Sequence, residues 1–360
     1  MEIQNNNSCK KFCPKIVSIG GGTGLSTILR GLKMYTADVT AIVSVADDGG
    51  GSGLLRQELN MPPPGDVRNC LLALAETEPI MEKLLQYRFD TGSLAGQNFG
   101  NLFLAAMNEI FEGDFVTAVQ NVSDVLKVKG KVLPVTGEDV ELVAILKNGE
   151  IVIGESQIGH ATETYNSPIK EVLLRSKTKE KEKIMAVEEV LSEISEADLI
   201  TLGPGSLYTS VLPNLVIDGV AKAIIEAKAP VVYISNIMTQ HGETDGYTAF
   251  DHVEAILRHT SKNFIDYCIV NNKKIDAPFI SKYKSQEATE VFLDEDRFRA
   301  ANIELVKRDF AYVENGEFIR HNAVVLADAL IDIINKNRHV SGVEVSEEGV
   351  VLYTPSHKNK

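Results

Sequence analysis

The stretch Ile16-Val17-Ser18-Ile19-Gly20-Gly21-Gly22-Thr23-Gly24 is a short apolar run that stops abruptly at glycines. The stretch Ala41-Ile42-Val43-Ser44-Val45-Ala46-Asp47-Asp48-Gly49-Gly50-Gly51-Ser52-Gly53 repeats the pattern, with two acids at the turn. Each run is followed by a helix-like segment. Short apolar runs closed by turn residues read as buried strands, and strands alternating with helical segments predict a parallel sheet with crossover helices.

The alternation continues outward from these two runs. Strands are expected at 15–19 and 39–46, and helices at about 25–34, from Asp66, from Phe99 to Phe111, and from an Asp114 N-cap through Leu126. The middle changes character. Glu141–Leu146 and Ile151–Glu155 flank Lys147-Asn148-Gly149-Glu150, whose Asn-Gly pair is a strong hairpin signal, and Ile169–Leu174 adds a further strand. The charged run Lys177–Lys183 closes this segment as a solvated loop. Strand patterns resume at 198–202, 230–234 and 264–270. The fold class is therefore α/β: Rossmann-like, with a mostly parallel sheet, crossover helices and an antiparallel β insertion at about 139–185. The expected organisation is a flexible leader over 1–14, a single domain over 15–337 and a C-terminal tail over 338–360, in which the apolar Val350–Tyr353 has no assigned place.

Composition narrows the partners. The chain has 360 residues, 44% of them hydrophobic, enough for a large core. A net charge of −14 argues against a nucleic-acid backbone as main partner, because that contact needs a basic face. No run is long and apolar enough to span a bilayer, and the polar N-terminus lacks the apolar centre of a signal peptide, so a cytoplasmic protein is expected. Cys9, Cys13, Cys70 and Cys268 form no C-x-x-C pair and read as reduced thiols.

The chemistry lies where strands end. Glycines let backbone N–H groups approach a phosphate, and a following helix adds its free amides and positive dipole end. Gly21, Gly22, Thr23 and Gly24 suit that task, although Leu25 stands at the third glycine position of G-x-G-x-x-G and no Gly-Lys-Ser/Thr follows. Asp47 and Asp48 can take a ribose hydroxyl or a hydrated cation, with Ser52 beside them. Gly203, Pro204, Gly205 and Ser206 open a second helix after a buried strand, as a phosphate-facing loop or a capped turn. Asn236, Thr239 and Gln240 carry groups that read a base edge or sugar hydroxyls, unless the loop satisfies itself. His241 is a candidate acid or base, although a histidine in a polar loop is more often solvated. Asn98 and Asn101 either cap the helix that starts at Phe99 or face a ligand; Asp66 is a natural N-cap, and Arg68 can supply a cation. No Ser-His-Asp order, H-E-x-x-H or paired cysteine-histidine set assembles, so the residues favour binding over a bond-making step.

Taken together, Gly20–Gly24, Asp47–Gly53, Gly65-Asp66-Val67-Arg68-Asn69, Phe99-Gly100-Asn101 and Gly203–Ser210 resemble the YvcK/CofD-like family over roughly residues 15 to 337, and within it the YvcK branch of bacterial gluconeogenesis factors. That branch implies binding of UDP-sugars, notably UDP-N-acetylglucosamine, and support of cell morphogenesis and peptidoglycan precursor supply during gluconeogenic growth. It also implies a tyrosine and an arginine at the sugar nucleotide, which local context places at Tyr283 and Arg320. The CofD branch implies the alternative, a metal-dependent transferase that moves a phospholactyl group from a guanylyl-diphospho donor to a deazaflavin alcohol. Asp47 and Asp48 would then hold magnesium; otherwise no metal and no cofactor is required. The absence of tryptophan and of an aromatic cluster near the first loops favours a non-catalytic, nucleotide-sugar-binding regulator. Regulatory protein partners in cell-wall precursor synthesis and a homo-oligomer are further expectations.

Overall fold

The computed structural model describes residues 13–177, 183–260 and 262–340. The expectations for residues 1–12, for 178–182 and for the tail beyond 340 lie outside the described residues. In chain order the strands are β1 (Ile16–Gly20), β2 (Val39–Val43), β3 (Lys131–Pro134), β4 (Val140–Leu146), β5 (Ile151–Ile153), β6 (Ile169–Ser176), β7 (Leu199–Leu202), β8 (Val231–Ile234), β9 (Tyr267–Asn271), β10 (Glu304–Arg308), β11 (Ala311–Glu314) and β12 (Phe318–His321).

Seven of them form one sheet in the order β10-β9-β8-β7-β1-β2-β3, with every neighbouring pair parallel. The central strands β1, β2, β7 and β8 are buried along their whole length, which explains sequences that are apolar apart from the hydrogen-bonded Ser18, Thr40 and Thr201. From β1 the chain runs outward to β2 and β3, whereas from β7 it runs the other way to β8, β9 and β10. Right-handed crossovers in opposite directions place helices on opposite faces of the sheet. Between β1 and β7 the strand order reverses, and all seven carboxyl ends share one edge. Open sheets of this kind bind ligands at that place.

Strand β2 ends at Val43 and not at 46. The chain is drawn out of the ladder by Arg56, which is 2% exposed and directs its guanidinium at the carbonyls of Ala46 and Asp47, the latter at 3.2 Å. The same guanidinium pairs with Asp139 at 2.7 Å and with the carbonyl of Val140. One buried cation thus ties the end of β2 to the start of the inserted segment. That segment is an antiparallel sheet in the order β5-β4-β6.

The helix expected from residue 25 begins at Gly22 and ends at Leu32. Strands β3 and β10 and the hairpin β11-β12 had no clear apolar signal. Both β3 and β10 are sheet edges, and Glu304-Leu305-Val306-Lys307-Arg308 carries charges that pair outward, Lys307 with Glu295 at 2.7 Å and Glu304 with Lys336 at 2.5 Å. The final helix, Ala323–Val340, packs beside Gly22–Leu32 and carries Leu326, Ala327, Leu330, Ile333 and Ile334 into the core. Cys13, Cys70 and Cys268 are free thiols. Among the described residues no helix is long and apolar enough to cross a membrane.

Candidate functional site

A cavity of about 490 Å³ opens at the carboxyl edge of the sheet, at the β1/β7 reversal. Larger hollows exist elsewhere, of about 640 and 740 Å³, but neither touches a strand-end glycine loop. The first wall is Gly21, Gly22, Thr23 and Gly24. Gly22, Thr23 and Gly24 are not a loop before a helix but the first turn of the helix itself, with Gly21 as its extended N-cap. Gly22 has φ +62°, a conformation side chains rarely adopt. A Cβ on Gly24 would overlap the carbonyl oxygen of Pro204, so glycine there allows the two loops to meet.

The second wall is Gly205, Ser206 and Ser210. Gly203 and Pro204 stand behind it, against Gly20 and Gly24, and do not line the cavity. The Asn236 amide donates to the carbonyl of Gly205 at 3.0 Å and braces that wall while also facing the cavity. Thr239 lines the cavity too, yet its hydroxyl accepts from the Thr289 amide at 2.9 Å and is partly occupied. Gln240 is exposed at the rim.

The third wall comes from the chain's last third. Tyr283, in the helix Ala277–Lys284, accepts the Ile319 amide on its hydroxyl at 3.0 Å. Arg320 on β12 is held 3.5 Å from Glu314, and its guanidinium lies 5.1 Å from the Phe318 ring centre. His321 donates to the Ser235 carbonyl at 3.3 Å and stacks on Phe310; burial pushes its pKa down to about 4, so it is neutral. His241 is also at the cavity, and its hydrogen bond to Asp245 at 2.9 Å raises its pKa.

The remaining candidates are placed apart from this cavity, each with a local partner. Asn98 caps its helix, accepting from the Asn101 amide at 3.2 Å and donating to the Gln86 carbonyl at 3.0 Å. Asn101 accepts from Arg68 at 3.0 Å, so this arginine is committed as well. Ser52 accepts from the Gly65 amide at 3.1 Å. Asp47 accepts from Gly49 at 2.8 Å, and Asp48 accepts from Ser156 at 2.8 Å, which docks the insertion on the end of β2. One oxygen of each acid is thus engaged by a backbone amide, and the other remains for a further partner. Among the described residues no three His, Cys, Asp or Glu side chains are disposed to hold one metal ion. No chemical step is routed through a metal ion.

Three further carboxyls crowd the same sheet edge. Burial and the Asp47 charge push Asp66 up to about 7, and burial with the charges of Asp47 and Glu243 pushes Glu155 up to about 8. Burial alone pushes Glu243 up to about 7 against the hydrogen bonds it accepts. Thr27, Ser210, Met238, Gln286 and His321 also line the cavity and were missed. Thr27 and Ser210 lie about a turn beyond the glycine loops, Met238 is an apolar residue between Asn236 and Thr239, and Gln286 and His321 lie in segments without a motif, so only the fold brings them in.

The geometry meets known proteins at this point. The profile described as 2-phospho-L-lactate transferase CofD matches residues 16–311. The gluconeogenesis factor of Bacillus subtilis (strain 168) is 46% identical over 324 residues, covering 90% of this chain and 99% of that protein. The gluconeogenesis factor of Halalkalibacterium halodurans is 45% identical over 318 residues, covering 88% and 95%. A crystal structure of a Bacillus halodurans protein superposes with a TM-score of 0.84 at 44% identity, covering 89% of this chain and all of that one. Matched across the whole parallel sheet and along nearly the full length of these relatives, the chain belongs to the CofD-like family, in its branch of gluconeogenesis factors.

Proposed function

We propose that the cavity binds a UDP-sugar, UDP-N-acetylglucosamine in particular, without turnover, and that ligand occupancy regulates cell shape and peptidoglycan precursor supply during gluconeogenic growth. The observation that carries this reading is the meeting of the walls at one cavity. Gly21–Gly24 and Gly205–Ser206 line one cavity together with Tyr283 and Arg320, so glycine-rich backbone suited to a diphosphate shares a space with a cation and an aromatic ring suited to a base or sugar. The setting proposed is the cytoplasm, with a homo-oligomer and cell-wall precursor enzymes as partners, and no cofactor is required. Titration calorimetry with UDP-, GDP- and ADP-sugars, with and without magnesium, tests the reading. Saturable, base-selective binding of the UDP-sugar without magnesium is the expected result. Binding only of a guanylyl ligand, and only with magnesium, would favour a metal-dependent transferase instead, the activity named in the matching family description.

A further inference from the structure

Ser206 places a hydroxyl on the second wall, and its proton already has a destination. Its Oγ donates to Glu243 Oε2 at 2.5 Å and accepts from Thr209 Oγ1 at 2.8 Å. The other Glu243 oxygen accepts from Gln240 Nε2 at 2.5 Å. Glu243 is 2% exposed and lies behind the cavity, joining two segments that line it. While Glu243 is ionised, Ser206 can turn only a lone pair toward the cavity, the wrong polarity for a phosphate oxygen. With a proton on Oε2 the hydrogen bond reverses. Ser206 then accepts from Glu243 and from Thr209, both its lone pairs are used, and its own proton is released toward the cavity.

We infer that Glu243 is a positioning residue that aims the Ser206 hydroxyl, and that a phosphate-bearing ligand binds the Gly205–Ser206 wall together with one proton taken up on Glu243. This rests on the proposal that a nucleotide sugar's diphosphate meets that wall. The surroundings agree with it. Among the described residues no ion pair reaches Glu243. The insertion helix Glu155–Ile158 sets Glu155 beside it, with Thr209 between the two carboxyls. Its own loop adds His241 and Asp245, which pair with each other. On its far side a polar cavity of about 320 Å³ brings Asp251, Glu254 and Arg258 from one helix and Lys147 from the insertion. Arg258 is turned to the Tyr208 hydroxyl at 3.5 Å. Asp251 and Glu254 are paired with Arg297, at 2.6 and 3.5 Å. A ligand phosphate brings further negative charge to the wall, so ionised Glu243 opposes binding by charge as well as by hydrogen-bond direction. Burial holds the carboxyl near neutrality, where the exchange is accessible.

The test is calorimetric titration of UDP-N-acetylglucosamine into the full chain at pH 7.5, in buffers of different ionisation enthalpy, with affinity followed from pH 6.5 to 8.5. A sugar nucleotide's diphosphate does not itself titrate in that range. Wild type should take up as much as one proton per ligand, and its affinity should fall toward about tenfold per pH unit above neutrality, the limit for one linked proton. Glu243→Gln presents a permanent N–H to Ser206. It should bind at pH 8.5 as tightly as wild type does at pH 6.5, with no proton uptake. Uptake that persists in Glu243→Gln, or that disappears instead in Glu155→Gln, Asp66→Asn or His241→Gln, overturns the inference. Wild-type binding with no uptake and a flat pH profile overturns it while leaving the ligand reading intact. Failure of wild type to bind either UDP-N-acetylglucosamine or a GDP-sugar at pH 6.5 removes both. Should Glu243→Gln not fold, the wild-type proton count and pH profile still decide.

Discussion

The hydroxyl of Tyr283 accepts a hydrogen bond from the backbone amide of Ile319 at 3.0 Å, which fastens the end of one helix to the strand that carries Arg320. The two residues implied at the sugar nucleotide are therefore one mechanical unit. In the proposed complex, Arg320→Ala removes the cation that would meet the diphosphate in a protein of net charge −14. The expected loss in UDP-N-acetylglucosamine affinity is about 1.5–3 kcal/mol, or roughly ten- to a hundredfold. Tyr283→Phe frees the strand without removing charge and should cost about 1 kcal/mol, roughly fivefold. Calorimetric affinities for both variants equal to wild type would remove this corner from the binding site.

Gly22→Val should abolish nucleotide-sugar binding in a protein that still folds. The added side chain must adopt φ +62° at the cavity wall and meets little there except Asp66 Oδ1, 3.8 Å from the Cβ position. The strain is worth about 1–2 kcal/mol, which a large core tolerates as a modest drop in Tm. Wild-type affinity in a folded Gly22→Val protein would reduce the first wall to a turn.

Glu155 ties stability to pH. Its pKa is raised from an ordinary 4.5 to about 8, chiefly by burial and then by the charges of Asp47 and Glu243. The folded state holds this proton more tightly than the unfolded chain, so the stabilisation is complete below about pH 4.5 and is lost progressively as pH rises toward 8. Thermal melts should show wild type weakening between pH 6 and 8.5. Glu155→Gln should recover roughly 2–4 kcal/mol of that loss at pH 8.5 and change little near pH 5. Parallel melting curves for the two proteins across this range would contradict the assignment.

Arg56→Met should destabilise the fold by about 3–5 kcal/mol, since it strands Asp139 and the carbonyls of Asp47 and Val140 around an apolar side chain. Adding Asp139→Asn should restore part of the loss, because the orphaned charge goes with it. Urea unfolding of the single and double variants measures both; equal stabilities for single and double variants would mean that the charge was never the cost.

How much was visible beforehand follows from where each residue gets its instructions. The glycine loops after β1 and β7 were legible because buried parallel strands are uniformly apolar and their ends need glycine, a signal carried within nine residues at Ile16–Gly24. Strand β10 was not, because an edge strand carrying Glu304, Lys307 and Arg308 looks like solvated chain until Ile269 pairs with Val306. Asp48 reads as a ligand residue because acids at strand ends often are, and the contact that docks the insertion on it was not legible. Its partner Ser156 is 108 residues away, and nothing local announces it. Tyr283 and Arg320 were placed by resemblance alone, since the hairpin that positions them has no apolar pattern of its own.

The reversal of strand order between β1 and β7 also has a temporal meaning. Ser18 on β1 meets Thr201 on β7 across 183 residues of sequence, at 3.0 Å. At about 5–20 residues per second on the ribosome, β1 emerges on the order of ten seconds or more before the neighbour that covers its open side. The last wall, at Arg320, arrives later still. During synthesis the nascent chain therefore carries a half-covered, strongly apolar strand, and the proposed ligand could be captured only after Arg320 has been translated. In the proposed complex a nucleotide sugar would bridge the first-made strand end and the last-made wall, so its binding would add stability only after both are in place.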